Sequence, residues 1–285
     1  MKSQRISKIV LGCMFVAGVL LRLSWGKDIE YKGDERYAFE TVQATLHGAP
    51  WPEFGTNSSI PLINPKISIW VFIALGKITR ACSPIELARA VQCTNILAMA
   101  LLILFIARCV PIEEQEYWWW GAALVFVNPF DVLLHRKIWA PSIFPIFSLA
   151  MLTAWWFRRK WTGAFFCGLI GTILGQIDMG GWFLTAAYGF GTLASDRIKR
   201  IRWFPMVAGA LVGLWPLINW LHLLEKFFVS HWIHLLHSTP HMANVCHPLS
   251  GWFDNAPGQV WWLWITGSAG FGLDYSLVLR QISFS

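Results

Sequence analysis

The stretch ISIWVFIALGKIT, residues 67–79, decides how this chain is built. It is apolar almost throughout, yet shorter than the about 20 residues a helix needs to span a bilayer. Further apolar runs flank it at 9–25, 87–107, 117–134, 142–157, 161–177, 181–195, 204–224 and 259–279. If 67–79 crosses, the basic groups RRK (158–160) and DRIKRIR (196–202) face outward. If it does not, they share a side with Lys2, Arg5 and Lys8, as the positive-inside rule requires. The expected fold is therefore all-α, a polytopic helical membrane protein with about eight spans plus a short interfacial or re-entrant helix. Residues 1–285 form a single transmembrane domain. The outer side receives 26–86 and 225–258, the two large outer loops, together with 135–141 and 178–180. The acidic EEQE at 113–116 falls inside, where acidic residues contribute little to orientation.

Composition leads to the same class. Hydrophobic residues make up 55% and charged residues 14%. Soluble domains carry about 25% charged residues, so an ordinary soluble protein is excluded. Trp, present 19 times, gathers at membrane–water interfaces. The net charge of +7 reads as loop topology signals rather than as a nucleic-acid surface. The N-terminus has the basic start and apolar core of a signal peptide. Leu23, Trp25 and Lys27 are poor neighbours for a cleavage site, so an uncleaved first span is expected. The six cysteines form no CxxC and read as small apolar residues.

The stretch YKGDERYAFE, 31–40, follows the first run directly. Asp34 to Leu46 reads as a short amphipathic helix with Tyr37, Phe39, Val42 and Leu46 as its apolar members. Gly48, Pro50 and Pro52 break it. Asp34 and Glu35 are either solvated loop charges or a general base or metal ligand at a cavity mouth. Neighbours on a helix diverge by about 100°, so one can face a site while the other supports the helix; Asp34 also suits an N-cap. In NPFDVLLHRKIWAP, 128–141, Asp131, His135, Arg136 and Lys137 sit where one span ends and another begins. They read as a polar hairpin with snorkelling cations, or as an anion site, with a lipid phosphate as the obvious partner. Asp178, between two spans, is a solvated turn residue or a functional group. Asn128, Asn219 and Gln176 face a cavity or join helices. His231, His234, His237 and His241 recur at helical spacing; an interfacial helix is the default and a metal site the alternative.

Three segments in order carry a resemblance: GDERYAFE, SSIPLINPKISIWVFIALGK and NPFDVLLHRKIWAPSIFPIF. Together, over roughly 5–225, they resemble the GT-C superfamily of membrane glycosyltransferases, nearest the family 39-like protein mannosyltransferase and aminoarabinose-transferase type. The resemblance implies sugar transfer, with inversion, from a polyprenyl-phosphate-linked donor to a hydroxyl acceptor on a lipid, glycan or protein. The reaction lies on the non-cytoplasmic face of the plasma (inner) membrane. Carried over, the catalytic base falls on Asp34, with Glu35 as support or alternate, and the donor-phosphate cations on Arg136 and Lys137. Tyr37, Asn64 and Asp178 are further cavity or substrate candidates, and Trp51, Trp70 and Trp139 candidates for sugar stacking. A divalent cation, Mg or Mn, is left open, with no metal ligand assigned. The chain is shorter than family members usually are, which implies a minimal or truncated version, and RKIWAPS lacks the carboxylate that often follows the basic residue. A transporter or lipid-carrier-binding partner is the non-enzymatic alternative.

Overall fold

A computed structural model describes residues 2–24, 29–56, 64–178, 180–195 and 201–222. The His231–His241 cluster and the apolar run 259–279 lie outside them. Among the described residues the fold is all-α: α1 (Lys2–Leu23), α2 (Gly33–Leu46), α3 (Ile67–Thr79), α4 (Pro84–Cys109), α5 (Ile112–Val127), α6 (Pro129–Leu134), α7 (Phe144–Trp156), α8 (Trp161–Ile177), α9 (Gly180–Ser195) and α10 (Trp203–Leu214). Short 3-10 turns at Ala140–Ile143 and Trp215–Leu217 lead into α7 and continue α10. Two stretches, Pro84–Cys109 and Trp203–His222, are long and apolar enough to cross a bilayer. Ile67–Thr79, Ala140–Trp156 and Trp161–Ile177 are shorter apolar helices.

Local chemistry sets the helix ends. Ser83 Oγ accepts the Glu86 N–H at 3.3 Å and the Glu86 carboxylate accepts the Ser83 N–H at 3.1 Å. With Pro84 at the first helical position, this capping box starts α4. The run 117–134 is split because Pro129 has no N–H to continue α5; Asn128 Oδ1 instead accepts the Phe130 N–H at 3.1 Å and starts α6. Asn128 is therefore a cap. Gly48, at φ +100, ends the α2 segment in a conformation that suits glycine.

Three helix pairs, α1 with α5, α4 with α7 and α8 with α10, run in the same direction. On α1 and α5, Phe15 packs edge-on to Trp119 and Phe126, and a Cβ at Gly18 would lie 2.6 Å from the Phe126 carbonyl oxygen. On α4 and α7, Asn95 Nδ2 donates to Ser142 O at 2.9 Å, and Phe105 meets Trp156 at 5.5 Å. On α8 and α10, Gly168, Gly209 and Gly213 leave no room for a Cβ, so the two backbones nearly touch. This is small-residue packing of the kind that joins helices where water supplies no driving force. Gln176 Nε2 closes that seam by donating to Gly213 O at 2.7 Å, so Gln176 joins helices. Asn219 is exposed.

One apolar cluster ties one end of the bundle together. It holds Ala38 and Val42 of α2, Phe72 and Ile73 of α3, Leu87 and Val91 of α4, then Ile138, Ile143 and Ile177. Helix α3 thus packs against the start of α4 and the end of α8. At 1.5 Å per residue it is about 20 Å long, short of a hydrocarbon core of about 30 Å.

Candidate functional site

The segments singled out in the sequence meet on this cluster. Helix α2 begins at Gly33, one residue before Asp34, so Asp34 is not the N-cap. That role falls to Lys32, whose N–H donates to Glu35 Oε2 at 3.2 Å. Glu35 is buried and works as the helix's own brace. Asp34, in the first turn, is exposed, and among the described residues no ion pair or hydrogen bond engages its carboxylate. The buried stripe of α2 is Glu35, Ala38, Val42 and Thr45. Tyr37 points outward, against the expected apolar face, because Val42 is the residue seated on Gly76 of α3.

The Arg-Lys step is answered from within the chain. Lys137 Nζ pairs with the Glu30 carboxylate, and Glu30 also pairs with Lys32 at 2.5 Å. Lys137, and then Lys32, hold the Glu30 carboxyl below its ordinary value. The anion expected to answer Lys137 is thus a side chain; no lipid phosphate is needed to balance it. Lys137 also lies 5.8 Å from the Trp139 ring. Arg136 is buried, and its Nη2 donates to Leu21 O at 2.8 Å and to Ser24 O. It caps the carbonyls left open at the C-terminal end of α1. Arg136 therefore holds helix ends in place, and Lys137 is the cation nearer the acidic helix.

Beneath this step lies a polar group in which Asp131 and His135 were singled out from the sequence but Arg22 was not. Arg22, fully buried, donates through Nε to His135 Nδ1 at 3.0 Å and through Nη1 to Gly18 O at 2.9 Å and Phe126 O at 2.6 Å. Asp131, also buried, attracts Arg22 and accepts a hydrogen bond from Asn128. Burial, with Arg22 beside it, holds His135 down to about 3, so its imidazole is neutral and Nδ1 is free to accept. A charged residue inside an apolar run is a functional candidate by default, and Arg22 in GVLLRLS carried that signal.

The remaining candidates fix loops. Tyr37 reaches Gly55 O at 3.4 Å. Asn64 pairs with 55–56 through Gly55 N–H to Asn64 O (2.8 Å), Asn64 N–H to Thr56 O (2.9 Å), and Nδ2 to Thr56 Oγ1 (3.1 Å). Asp178 is not a solvated turn residue: burial raises its carboxyl, opposed by the Gly180 N–H that it accepts at 2.8 Å, which begins α9. Trp51 and Trp70 meet edge-on at 5.6 Å, with Lys77 over Trp51 and Lys66 over Trp70.

Among the described residues a divalent cation finds no donor set: no three His, Cys, Asp or Glu side chains gather to hold one, and the Glu35 carboxylate is committed to Lys32. Cys13, Cys82, Cys93, Cys109 and Cys167 are free thiols. The cavity expected beside Asp34 and Glu35 is neither of two grooves on the bundle. One, of about 800 Å³, lies between α4, α7 and α8; the other, of about 470 Å³, lies between α4, α5 and α7. Neither is lined by Asp34, Glu35, Arg136, Lys137 or Asp178.

The site is thus one end of a helical bundle that joins an acidic helix to a cationic step. No family model, curated protein or solved structure matches the chain.

Proposed function

We propose that this chain is a membrane glycosyltransferase that moves a sugar from a polyprenyl-phosphate donor to a hydroxyl on a lipid, glycan or protein. The chain crosses the membrane about eight times, with α3 as a partial helix at the non-cytoplasmic face. Exposed apolar side chains along the helix flanks support the membrane setting: Leu97, Leu104, Leu124, Phe190, Leu211 and Trp215 all face outward. Such surface is unfavourable in water and suited to lipid. The same-direction pairing of α1 with α5, α4 with α7 and α8 with α10 also fits alternate crossings.

The observation that carries the reading is the Lys32–Glu30–Lys137 bridge, which ties the head of α2, where Asp34 is unengaged, to the cationic step. In the reaction the Asp34 carboxylate takes the acceptor hydroxyl proton as the oxygen attacks the anomeric carbon. The bond from that carbon to the phosphate oxygen breaks with inversion. The phosphate leaves as an anion facing Lys137, whose charge is strongest where water is scarce. Arg136 is a positioning residue that holds the step against α1, and Glu35 holds the helix that presents Asp34.

A second reading is a non-catalytic protein of the same architecture, such as a lipid-carrier-binding partner. It is favoured by the engagement of Arg136 with backbone carbonyls and of Lys137 with Glu30. Asp34→Asn separates the two. In membranes supplied with a labelled polyprenyl-phosphate sugar, the variant should lose transfer by roughly 10²- to 10⁴-fold while folding normally. Transfer at the unmodified rate would remove Asp34 from the mechanism.

A further inference from the structure

The groove between α4, α7 and α8 has the dimensions and charge of a lipid site, at the opposite end of the helices from Asp34. Its volume, about 800 Å³, lies within the roughly 300–1,000 Å³ of small-ligand sites. Its walls are apolar, among them Leu101, Leu104, Ile146, Leu149 and Phe166. Along α7 it runs from Ile146 to Phe157, about 16 Å at 1.5 Å per residue. That is about half of a 30 Å hydrocarbon core, the depth of one leaflet.

Two cations close one end. Arg108, in the last turn of α4, and Lys160, just before α8, both line the groove and both are exposed. Among the described residues neither is paired with a carboxylate. Lys160 also sits over the Phe157 ring at 5.1 Å, which holds its ammonium at the groove mouth. Lys137, by contrast, has Glu30 as an internal anion.

We infer that this groove binds an anionic glycerophospholipid, with one acyl chain between α4, α7 and α8 and its phosphate between Arg108 and Lys160. An apolar slot one leaflet deep takes a single hydrocarbon tail. Basic residues at membrane depth attract anionic headgroups, and both cations here serve one headgroup. The inference rests on the membrane setting and not on sugar transfer, and its test does not read transfer.

The test is native mass spectrometry of the full chain in nonionic detergent, offered phosphatidylglycerol, phosphatidylcholine and polyprenyl phosphate in equal amounts. The wild type should retain one phosphatidylglycerol in preference to the other two. The double variant Arg108→Gln with Lys160→Gln, both at exposed positions, should lose that retention roughly tenfold or more. Ala150→Trp, which fills the groove without altering charge, should also lose it. Equal retention of phosphatidylcholine, preference for polyprenyl phosphate, or an unaffected double variant would each overturn the assignment.

Discussion

Replacing Arg22 by Met tests what holds the cationic step in place. Met keeps much of the side-chain bulk but removes three hydrogen bonds, one to His135 Nδ1, one to Phe126 O and one to Gly18 O. It also leaves the buried Asp131 without the cation that attracts it. Losing three buried hydrogen bonds from a charged donor, together with its attraction for Asp131, costs about 3–5 kcal/mol. One gain offsets part of this. Arg22 Nη2 is buried with no hydrogen-bond partner, a state that costs about 1–3 kcal/mol, and Met relieves it. The net loss expected is about 2 kcal/mol. Adding Asp131→Asn to the same chain removes the stranded charge, so the double variant should recover about 1–3 kcal/mol relative to additivity. Denaturant unfolding in detergent, followed by near-UV circular dichroism, measures all three. A cost within about 0.5 kcal/mol for Arg22→Met, or strict additivity in the cycle, would refute the reasoning.

Further outcomes follow from the packing and the charges. Gly209→Ala, where a Cβ meets the Phe165 backbone, should cost about 1–3 kcal/mol. Gly189→Ala, with open space around it, should instead gain about 0.5–1 kcal/mol, read by the same unfolding assay. Because Lys137 lowers the Glu30 carboxyl, the stability from that bridge is present above the ordinary glutamate range and is lost as pH falls through the lowered value. Glu30→Gln should remove this acid limb from a stability profile taken from about pH 7 to about pH 3. Burial raises the Asp178 carboxyl, so its ionisation at neutral pH works against the fold. Asp178→Asn, whose oxygen still accepts from Gly180, should match or exceed wild-type stability at neutral pH, while Asp178→Ala loses about 1 kcal/mol by thermal melting.

The helix limits were the most legible part. Runs 67–79 and 161–177 became α3 and α8 at the same bounds, whereas 117–134, read as one run, divides at Pro129 because proline lacks an N–H. The acidic helix was expected from its spacing, and Phe39, Val42 and Leu46 do pack on the core, but Tyr37 was misread as part of that face. Tyr37 looks apolar but is exposed, whereas Ala38 and Val42 are buried and Val42 is seated on Gly76 of α3. The partners of the charges were the hidden part. Arg22 bonds to His135 and to a carbonyl of α5, and Arg136 to carbonyls of α1, across more than a hundred residues. Backbone acceptors at a helix end have no residue type, so a pattern of side chains does not reveal them. Glu30 escaped notice because one acidic residue before a charged cluster looks like ordinary loop composition.

The shared direction of α8 and α10 has a consequence for biogenesis. Two parallel helices need a third to carry the chain back, so the glycine seam at Gly168, Gly209 and Gly213 forms only after α9 has been laid down and α10 has emerged. Until then the glycine face of α8 stays bare, open to a wrong neighbour or a quality-control factor. Translation arrested before residue 203 would leave the nascent chain in that unfinished state.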